Sequence, residues 1–197
     1  MKLIIATNNE HKVVEFERIL KPLGFTAVSQ RAQGLQIEVE ETADSFEGNS
    51  LLKAKAVFEA SGLPTIADDS GLVVDALNGA PGVYSARYGG PGLNDIQRYE
   101  KLLAELSEVP PERRTARFVC CISLVLSAEQ QYTFTGVCEG TIGYEARGVN
   151  GFGYDPIFMV GDKSFSELSP EEKDLVSHRG KALRELSDFL RTKGENL

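Results

Sequence analysis

Two short acidic stretches of the sequence could supply ligands for a metal ion. Asp68 and Asp69 directly follow the apolar residues Ile66 and Ala67, where carboxylates are costly unless they are solvated, paired or metal-bound. Carboxylates at a strand end suit Mg²⁺, which takes a few of them together with waters and phosphate oxygens. A strand would direct the two side chains to opposite faces, so one could face a ligand while the other anchors a basic partner. A turn is the alternative, because "DSG" is good turn chemistry.

The other acidic stretch is the loop "IEVEET", which contains Glu38, Glu40 and Glu41 and precedes a predicted helix. For Glu38 and Glu40 we favour a solvated loop without a specific role. Glu41 therefore stays as the acid to consider together with Asp68 and Asp69.

The turn "TNNEHK", which contains Thr7, Asn8, Asn9 and Lys12, follows a short apolar run. If a strand ends near Ala6 and a helix begins near Glu10, unpaired backbone N–H groups point outward at the helix start. Together with hydroxyl, amide and ammonium groups, such a turn suits a phosphate. An ordinary N-cap turn explains the same residues equally well, and both interpretations stay open.

Two further stretches could contact a flat ring or an anion. In "GVNGFGYDP" (148–156), Phe152 or Tyr154 could stack on a ring, while a structured loop with an aromatic plug is the alternative. In "SPEEKDLVSHRGKA" (169–182), Lys173, His178 and Arg179 lie near a break between helical segments. These groups could grip an anion or read the edge of a base. The other histidine, His11, is predicted at the surface of the first helix.

Composition limits the class of protein. The 197-residue chain is 42% hydrophobic and 25% charged, as in ordinary soluble globular proteins, and has a net charge of −8. No Lys/Arg cluster dominates any segment, which argues against nucleic-acid binding. No apolar run reaches the length of a membrane span, and the N-terminus lacks a signal peptide, so we expect a cytoplasmic protein. The three cysteines match neither a disulfide framework nor a zinc site, and we expect them inside strands.

The elements that must position these residues are predicted from apolar periodicity and capping signals. Helices are expected near 10–23, from Asp44 to about Ala60, from Asn94 to about Leu106, and after Ser169. Strands are expected near 2–6, 26–30 and 157–160, with a hairpin at 116–127 and 131–141 around "SAEQQ". A further strand follows Pro64, with a polar break before the next apolar run. Helices interleaved with strands and a central hairpin indicate an α/β fold with a mixed sheet.

Taken together, the motifs resemble a known family. "TNNEHK", "EET…SFEGNSLLKA", "IADDSGL…ALNGAPGVYSARY", "GFGYDPIF" and "ELSPEEKDLVSHRGKAL" match, in order and spacing, the Ham1/RdgB family of inosine and xanthosine triphosphate pyrophosphatases. The match runs from residue 7 to about residue 183. Residues 107–147 carry little motif and are expected to be scaffold.

The resemblance implies one family domain over residues 1–197, an elongated α/β fold of two lobes around a central mixed sheet with the substrate cleft between them. Its members are typically homodimers that use Mg²⁺ to hydrolyse dITP, ITP and XTP to the monophosphate and pyrophosphate. Asp69 is implied as the proton acceptor and, with Glu41, as a metal ligand, Asp68 being an additional metal candidate. The implied substrate-binding residues are Thr7, Asn8, Asn9, Glu10, His11, Lys12, Ser70, Phe152, Gly153, Tyr154, Asp155, Lys173, His178 and Arg179.

Two other functions stay open at this point. One is a pyrophosphatase for another modified nucleotide, since a few side chains could retune the base loop. The other is a purine nucleotide-binding module without catalysis, which could dispense with Asp69 and Glu41. The presence of both acids argues against the binding module.

Overall fold

The structure, a computed structural model, describes residues 2–193 and contains seven strands and five α-helices within that range. The strands β1 to β7 run over Lys2–Ile5, Thr26–Ser29, Thr65–Val74, Thr115–Val125, Gln131–Ile142, Phe158–Val160 and Lys163–Ser164. The helices α1 to α5 run over Glu10–Leu20, Phe46–Ser61, Asp95–Glu105, Pro170–Val176 and His178–Lys193. None of these helices combines the length and apolar content needed to cross a membrane.

The strands form one mixed sheet in the order β2-β1-β3-β4-β5-β6-β7. β1 pairs in parallel with β2 and β3, whereas β6 pairs antiparallel with β5 and β7. The predicted α/β class with a mixed sheet is therefore confirmed, as is the hairpin of β4 and β5. The cysteines lie buried in these two strands, as expected for small apolar side chains.

The chain divides into two compact units, whose boundaries fall within or next to β3, β4, β5 and α5. Unit 1 comprises the residues up to Asp69, Cys120–Gly136 and the residues from His178 onward. Unit 2 comprises Ser70–Val119 and Val137–Ser177. The single family domain expected over residues 1–197 stays a prediction.

Each unit has its own apolar core. In unit 1, buried side chains of β1, α1 and α5, such as Leu3, Phe16 and Leu186, form one cluster. In unit 2, the rings of Phe118 and Phe158 lie 4.7 Å apart within a second cluster. Burying such side chains contributes roughly 1.5–3 kcal/mol each, which fixes the strands and helices that carry the polar residues.

The caps of the helices follow local chemistry, with one correction. Asn94 and Ser169 are the N-caps of α3 and α4, as predicted, and each forms a capping box. The helix expected from Asp44 instead has Ser45 as its N-cap, because the Ser45 side chain accepts a hydrogen bond from the Gly48 N–H. Gly62 then ends this helix in the left-handed conformation that glycine adopts without strain.

A second correction concerns the strand that carries the paired acids. The predicted polar break after Pro64 is absent, since β3 continues without interruption from Thr65 to Val74. β1 pairs with the start of β3 at Thr65 and Ile66, and β4 is the neighbour of β3 on its other side, so the sheet context outweighs the turn preference of "DSG". Asp68 and Asp69 are therefore strand residues, and the turn alternative is wrong.

Candidate functional site

The turn between β1 and α1 is an N-cap turn built from short polar side chains. The Asn9 carboxamide oxygen accepts hydrogen bonds from the backbone N–H groups of His11 and Lys12, at 3.0 and 3.3 Å. Thr7 Oγ1 accepts from the Asn9 N–H at 3.1 Å. Residues 8 to 11 are exposed, which includes the predicted surface position of His11. The contact of this turn with phosphate stays a prediction.

Asp68 is the centre of a buried ion network in unit 1. Its carboxylate lies 3.0 Å from Lys12 Nζ and 2.8 Å from the terminal nitrogen Nη2 of Arg179. The Arg179 guanidinium also donates to Glu15 Oε2 at 2.5 Å. Burial by itself raises the pKa of Asp68, but the charges of Lys12 and Arg179 outweigh it, so the pKa lies well below the ordinary value. Asp68 is thus held as a carboxylate by two cations.

Asp69 faces a different set of side chains. Its Oδ1 accepts from Lys53 Nζ at 3.1 Å, and the same ammonium donates to Glu41 Oε1 at 2.7 Å. Burial and the nearby Glu41 charge raise the pKa of Asp69 above the ordinary value, although Lys53 acts in the opposite direction. The two acids thus present oxygens to a single cationic position.

The loop that carries Glu41 is tied to α2 by Asn49. Asn49 Oδ1 accepts from the Ala43 N–H at 2.9 Å, and its Nδ2 donates to Asp69 Oδ2 at 3.4 Å. Gly48 permits this close packing, because a Cβ there would lie 2.6 Å from the Ala43 Cβ. Asn49 and Lys53 are four residues apart, so both project from the same face of the helix.

A second polar group lies in unit 2, in the loop before β6. The Asp155 carboxylate accepts from Lys173 Nζ at 2.6 Å and from the Phe152 N–H at 2.9 Å. Gly151 leaves the space for this carboxylate: its φ is +79°, and a Cβ would lie 2.1 Å from Asp155 Oδ2. Lys173 Nζ also lies 5.1 Å from the centre of the Phe152 ring.

The two aromatic residues of this loop have different environments. Tyr154 is buried in the core of unit 2, and its hydroxyl donates to the Ser85 carbonyl at 2.8 Å. Phe152 is half-buried, and the Gly153 N–H donates to Asp95 at 2.9 Å. Tyr154 therefore acts as the aromatic plug of a structured loop, and Phe152 is the better candidate for stacking on a ring.

The predicted site residues thus fall into two groups, one in each unit. Unit 1 holds the 7–12 turn, Glu41, Asp68, Asp69, His178 and Arg179, of which His178 and Arg179 are buried at the start of α5. Unit 2 holds Ser70, the 152–155 loop and Lys173. The contact of these residues with substrate stays a prediction.

Sequence reasoning missed Lys53, Asn49 and Glu15. The spacing of Asn49 and Lys53 within "EGNSLLKA" was the available signal, since residues four apart share one helix face. Glu15 gave no comparable signal, because its partner Arg179 lies 164 residues away along the chain.

Two acids of unit 1 have the chemistry to hold the metal ion that the family resemblance implies. Within residues 2–193, no three side chains of His, Cys, Asp or Glu gather in one place to hold an ion. Glu41 and Asp69 nevertheless offer two carboxylate oxygens toward one point already occupied by a cationic group. Mg²⁺ commonly takes one or two carboxylates and completes its shell with water and phosphate oxygens, so this pair fits the ion.

Comparison with known proteins matches a model of the Ham1 family to residues 3–189 of this chain. The chain belongs to the Ham1 family. Among the relatives, the dITP/XTP pyrophosphatase of Bacillus licheniformis is 48% identical over 191 residues, which cover 96% of this chain and 97% of the relative. The protein of the same name from Bacillus subtilis is 48% identical over 95% of this chain and 96% of the relative.

Solved Ham1 structures have the same fold. The Ham1 protein of Staphylococcus aureus superposes with a TM-score of 0.87 at 40% identity, covering 98% of this chain and all of the other. Sequence and structure therefore agree on the Ham1 family that the motifs predicted.

Proposed function

We propose that this chain hydrolyses dITP, ITP, XTP and dXTP to the monophosphate and pyrophosphate, which removes non-standard purines from the nucleotide pool. The observation that carries the proposal is that Glu41 and Asp69 direct oxygens to one cationic position, in a Ham1 chain whose 48%-identical relatives are dITP/XTP pyrophosphatases. Acids that can hold a metal ion, together with nearby cations, supply the positive charge that stabilises a phosphoryl group as its anhydride bond breaks.

The metal in this proposal is Mg²⁺, held by Glu41 and Asp69. When bound, the ion would neutralise phosphate charge and favour departure of pyrophosphate. Asp68 is the weaker metal candidate, because its two oxygens already contact Lys12 and Arg179.

Asp69 is the proposed proton acceptor. The oxygen of a water molecule bonds to the α-phosphorus while the bond to the bridging α–β oxygen breaks, and pyrophosphate leaves with that electron pair. The proton of the water passes to the Asp69 carboxylate. A raised pKa suits this role, since a carboxylate of higher pKa is a stronger base near neutral pH.

The remaining residues bind the substrate in this proposal. Lys12, the 7–12 turn and Lys173 counter the charge of the triphosphate, and Phe152 stacks on the purine. Hypoxanthine and xanthine carry a carbonyl at C6 where adenine carries an amino group, so a donor from His178–Arg179 or the backbone would select them. The proposal also includes the homodimer that the family resemblance implies and the cytoplasmic location expected from the sequence.

The test is release of pyrophosphate from ITP, XTP, GTP and ATP, with and without Mg²⁺. We expect cleavage of ITP and XTP only with metal, and a loss of about 10²–10⁴-fold in kcat for Asp69→Asn. Glu38→Gln is the matched control, because Glu38 is an exposed acid of the same loop as Glu41; it should retain full activity.

Two results would contradict the proposal. If ITP binds but no nucleotide is cleaved, the chain is a purine nucleotide-binding module and Asp69 is not catalytic. If a modified pyrimidine such as dUTP is cleaved in preference to ITP and XTP, the reaction is correct but the substrate class is wrong.

A further inference from the structure

Lys53 occupies the point where the two proposed metal ligands meet. Its Nζ lies 2.7 Å from Glu41 Oε1 and 3.1 Å from Asp69 Oδ1. All three side chains are mostly buried, with 16%, 23% and 8% of their surfaces exposed. In such surroundings, water screens charge–charge interactions less than it does at the surface.

We propose that Lys53 is an internal counter-ion of the metal site, which holds Glu41 and Asp69 together without metal and competes with the divalent cation for them. The inference rests on the proposed function, since it takes these two acids as the metal ligands. In this arrangement metal and nucleotide bind with positive coupling, and Lys53 is the source of the coupling.

The charges explain the direction of this coupling. Two carboxylates and one ammonium sum to −1, so a divalent ion arriving alone must approach or displace a positive charge. A triphosphate gives the displaced ammonium new anionic partners, so the same ion then binds without that cost. Linkage requires the reverse effect also, in which metal tightens nucleotide binding by the same factor.

The local structure allows Lys53 to move while Asp69 stays in place. The lysine side chain is a flexible stem on the rigid helix α2, with part of its surface open to solvent. Asn49 separately donates to Asp69 Oδ2, whereas Lys53 donates to the other oxygen, Asp69 Oδ1. Asn49 is fully buried and also accepts from Ala43, so it holds the carboxylate from the other side.

Binding of Mn²⁺ to the full-length protein tests the inference, with free Mn²⁺ measured by electron paramagnetic resonance. Without nucleotide, Lys53→Met should bind Mn²⁺ about tenfold more tightly than the wild type. The nucleotide analogue α,β-methylene-ITP cannot be cleaved between the α- and β-phosphates. Its addition should tighten Mn²⁺ binding to the wild type, whereas Mn²⁺ binding to Lys53→Met should change much less. A purely structural lysine would not give tighter metal binding when it is removed.

Two control variants isolate the position of the charge. Lys55→Met removes a positive charge from the same helix. Within residues 2–193, Lys55 forms no ion pair with Glu41 or Asp69, so Mn²⁺ affinity should stay at the wild-type value. Lys53→Arg keeps the charge and should bind Mn²⁺ as weakly as the wild type. Circular dichroism of each variant verifies that it is folded.

If folded Lys53→Met binds Mn²⁺ no more tightly than the wild type, the inference is overturned. Lys53 would then help to arrange the carboxylates for the metal and would not compete with it. The pyrophosphate assay distinguishes this failure from that of the proposed function. If the wild type cleaves ITP with Mg²⁺ while Lys53→Met shows no gain in Mn²⁺ affinity, only the counter-ion role is wrong.

Discussion

At the scale of single residues, two adjacent acids of β3 have opposite electrostatic environments. Asp68 lies against two cations, which lower its pKa, whereas Asp69 shares Lys53 with a second carboxylate and has a raised pKa. The alternation of side chains along a strand produces this difference, since neighbours face opposite sides of the sheet. Pairs of acids whose pKa values are pushed apart are typical of sites that divide structural and catalytic roles.

Asp68→Asn should lower the free energy of unfolding by about 3–5 kcal/mol at pH 7, because it removes the buried carboxylate that pairs with Lys12 and leaves Arg179 with Glu15 alone. The folded-state pKa of Asp68 is depressed, so its contribution is complete above the ordinary value of 3.8 and is lost as pH falls below it. The difference between wild type and variant should therefore be constant from about pH 5 to 8 and narrow below about pH 4.

Urea unfolding at a series of pH values measures this difference. Asp162→Asn is the control, since Asp162 is exposed and should change stability by less than about 0.5 kcal/mol. A difference that stays constant down to pH 3 would show that the Asp68 charge does not supply the stability.

At the scale of elements, the first turn of α2 positions the loop that carries Glu41. Ser45 caps the helix, Asn49 bonds to the Ala43 backbone, and Gly48 leaves room for the Ala43 methyl group. A glycine inside a helix normally costs about 1 kcal/mol relative to alanine. In α2 the close approach of the loop at Ala43 explains why glycine occupies position 48.

Gly48→Ala should reduce both stability and pyrophosphate release, because the new methyl group would lie 2.6 Å from the Ala43 Cβ. Overpacking costs about 1–3 kcal/mol, which exceeds the gain of about 1 kcal/mol from helix propensity. The double variant Ala43→Gly/Gly48→Ala removes the clash and should recover most of both losses. Thermal unfolding and the pyrophosphate assay measure the effect, and a single variant as stable as the wild type would contradict the packing argument.

At the scale of the whole molecule, cationic side chains of each unit lie against acids. The chain carries a net charge of −8, yet Lys12, Lys53 and Arg179 in unit 1 and Lys173 in unit 2 each lie against carboxylates. An acidic protein can in this way keep local positive charge for an anionic ligand.

The assembly expected from the family resemblance is a homodimer. Large apolar side chains such as Val149 and Leu175 are strongly exposed in the single chain, at 96% and 71%, and provide area that association could cover. Sedimentation equilibrium should give about twice the chain mass of 21.5 kDa. A mass equal to that of one chain at micromolar concentration would refute the dimer.

Much of the fold could be predicted because its signals are local. Asn94 and Ser169 cap helices through bonds to residues three positions away, and the β4–β5 hairpin follows from two apolar runs around a short polar turn. The error at Asp44 also arises from local signals, since aspartate and serine are both good N-cap residues and the two lie next to each other in the sequence.

The sequence by itself determined the family and the α/β class, because these depend on ordered motifs and on residue type, and it predicted the carboxylates of the candidate site. Only the tertiary structure decided what each charge contacts. Arg179 bonds to Asp68 across 111 positions, and Lys53 joins Glu41 to Asp69. Such pairs depend on which faces of the helices and strands pack together when apolar surfaces are buried. The spacing of residues along the chain does not specify which distant faces will pack together.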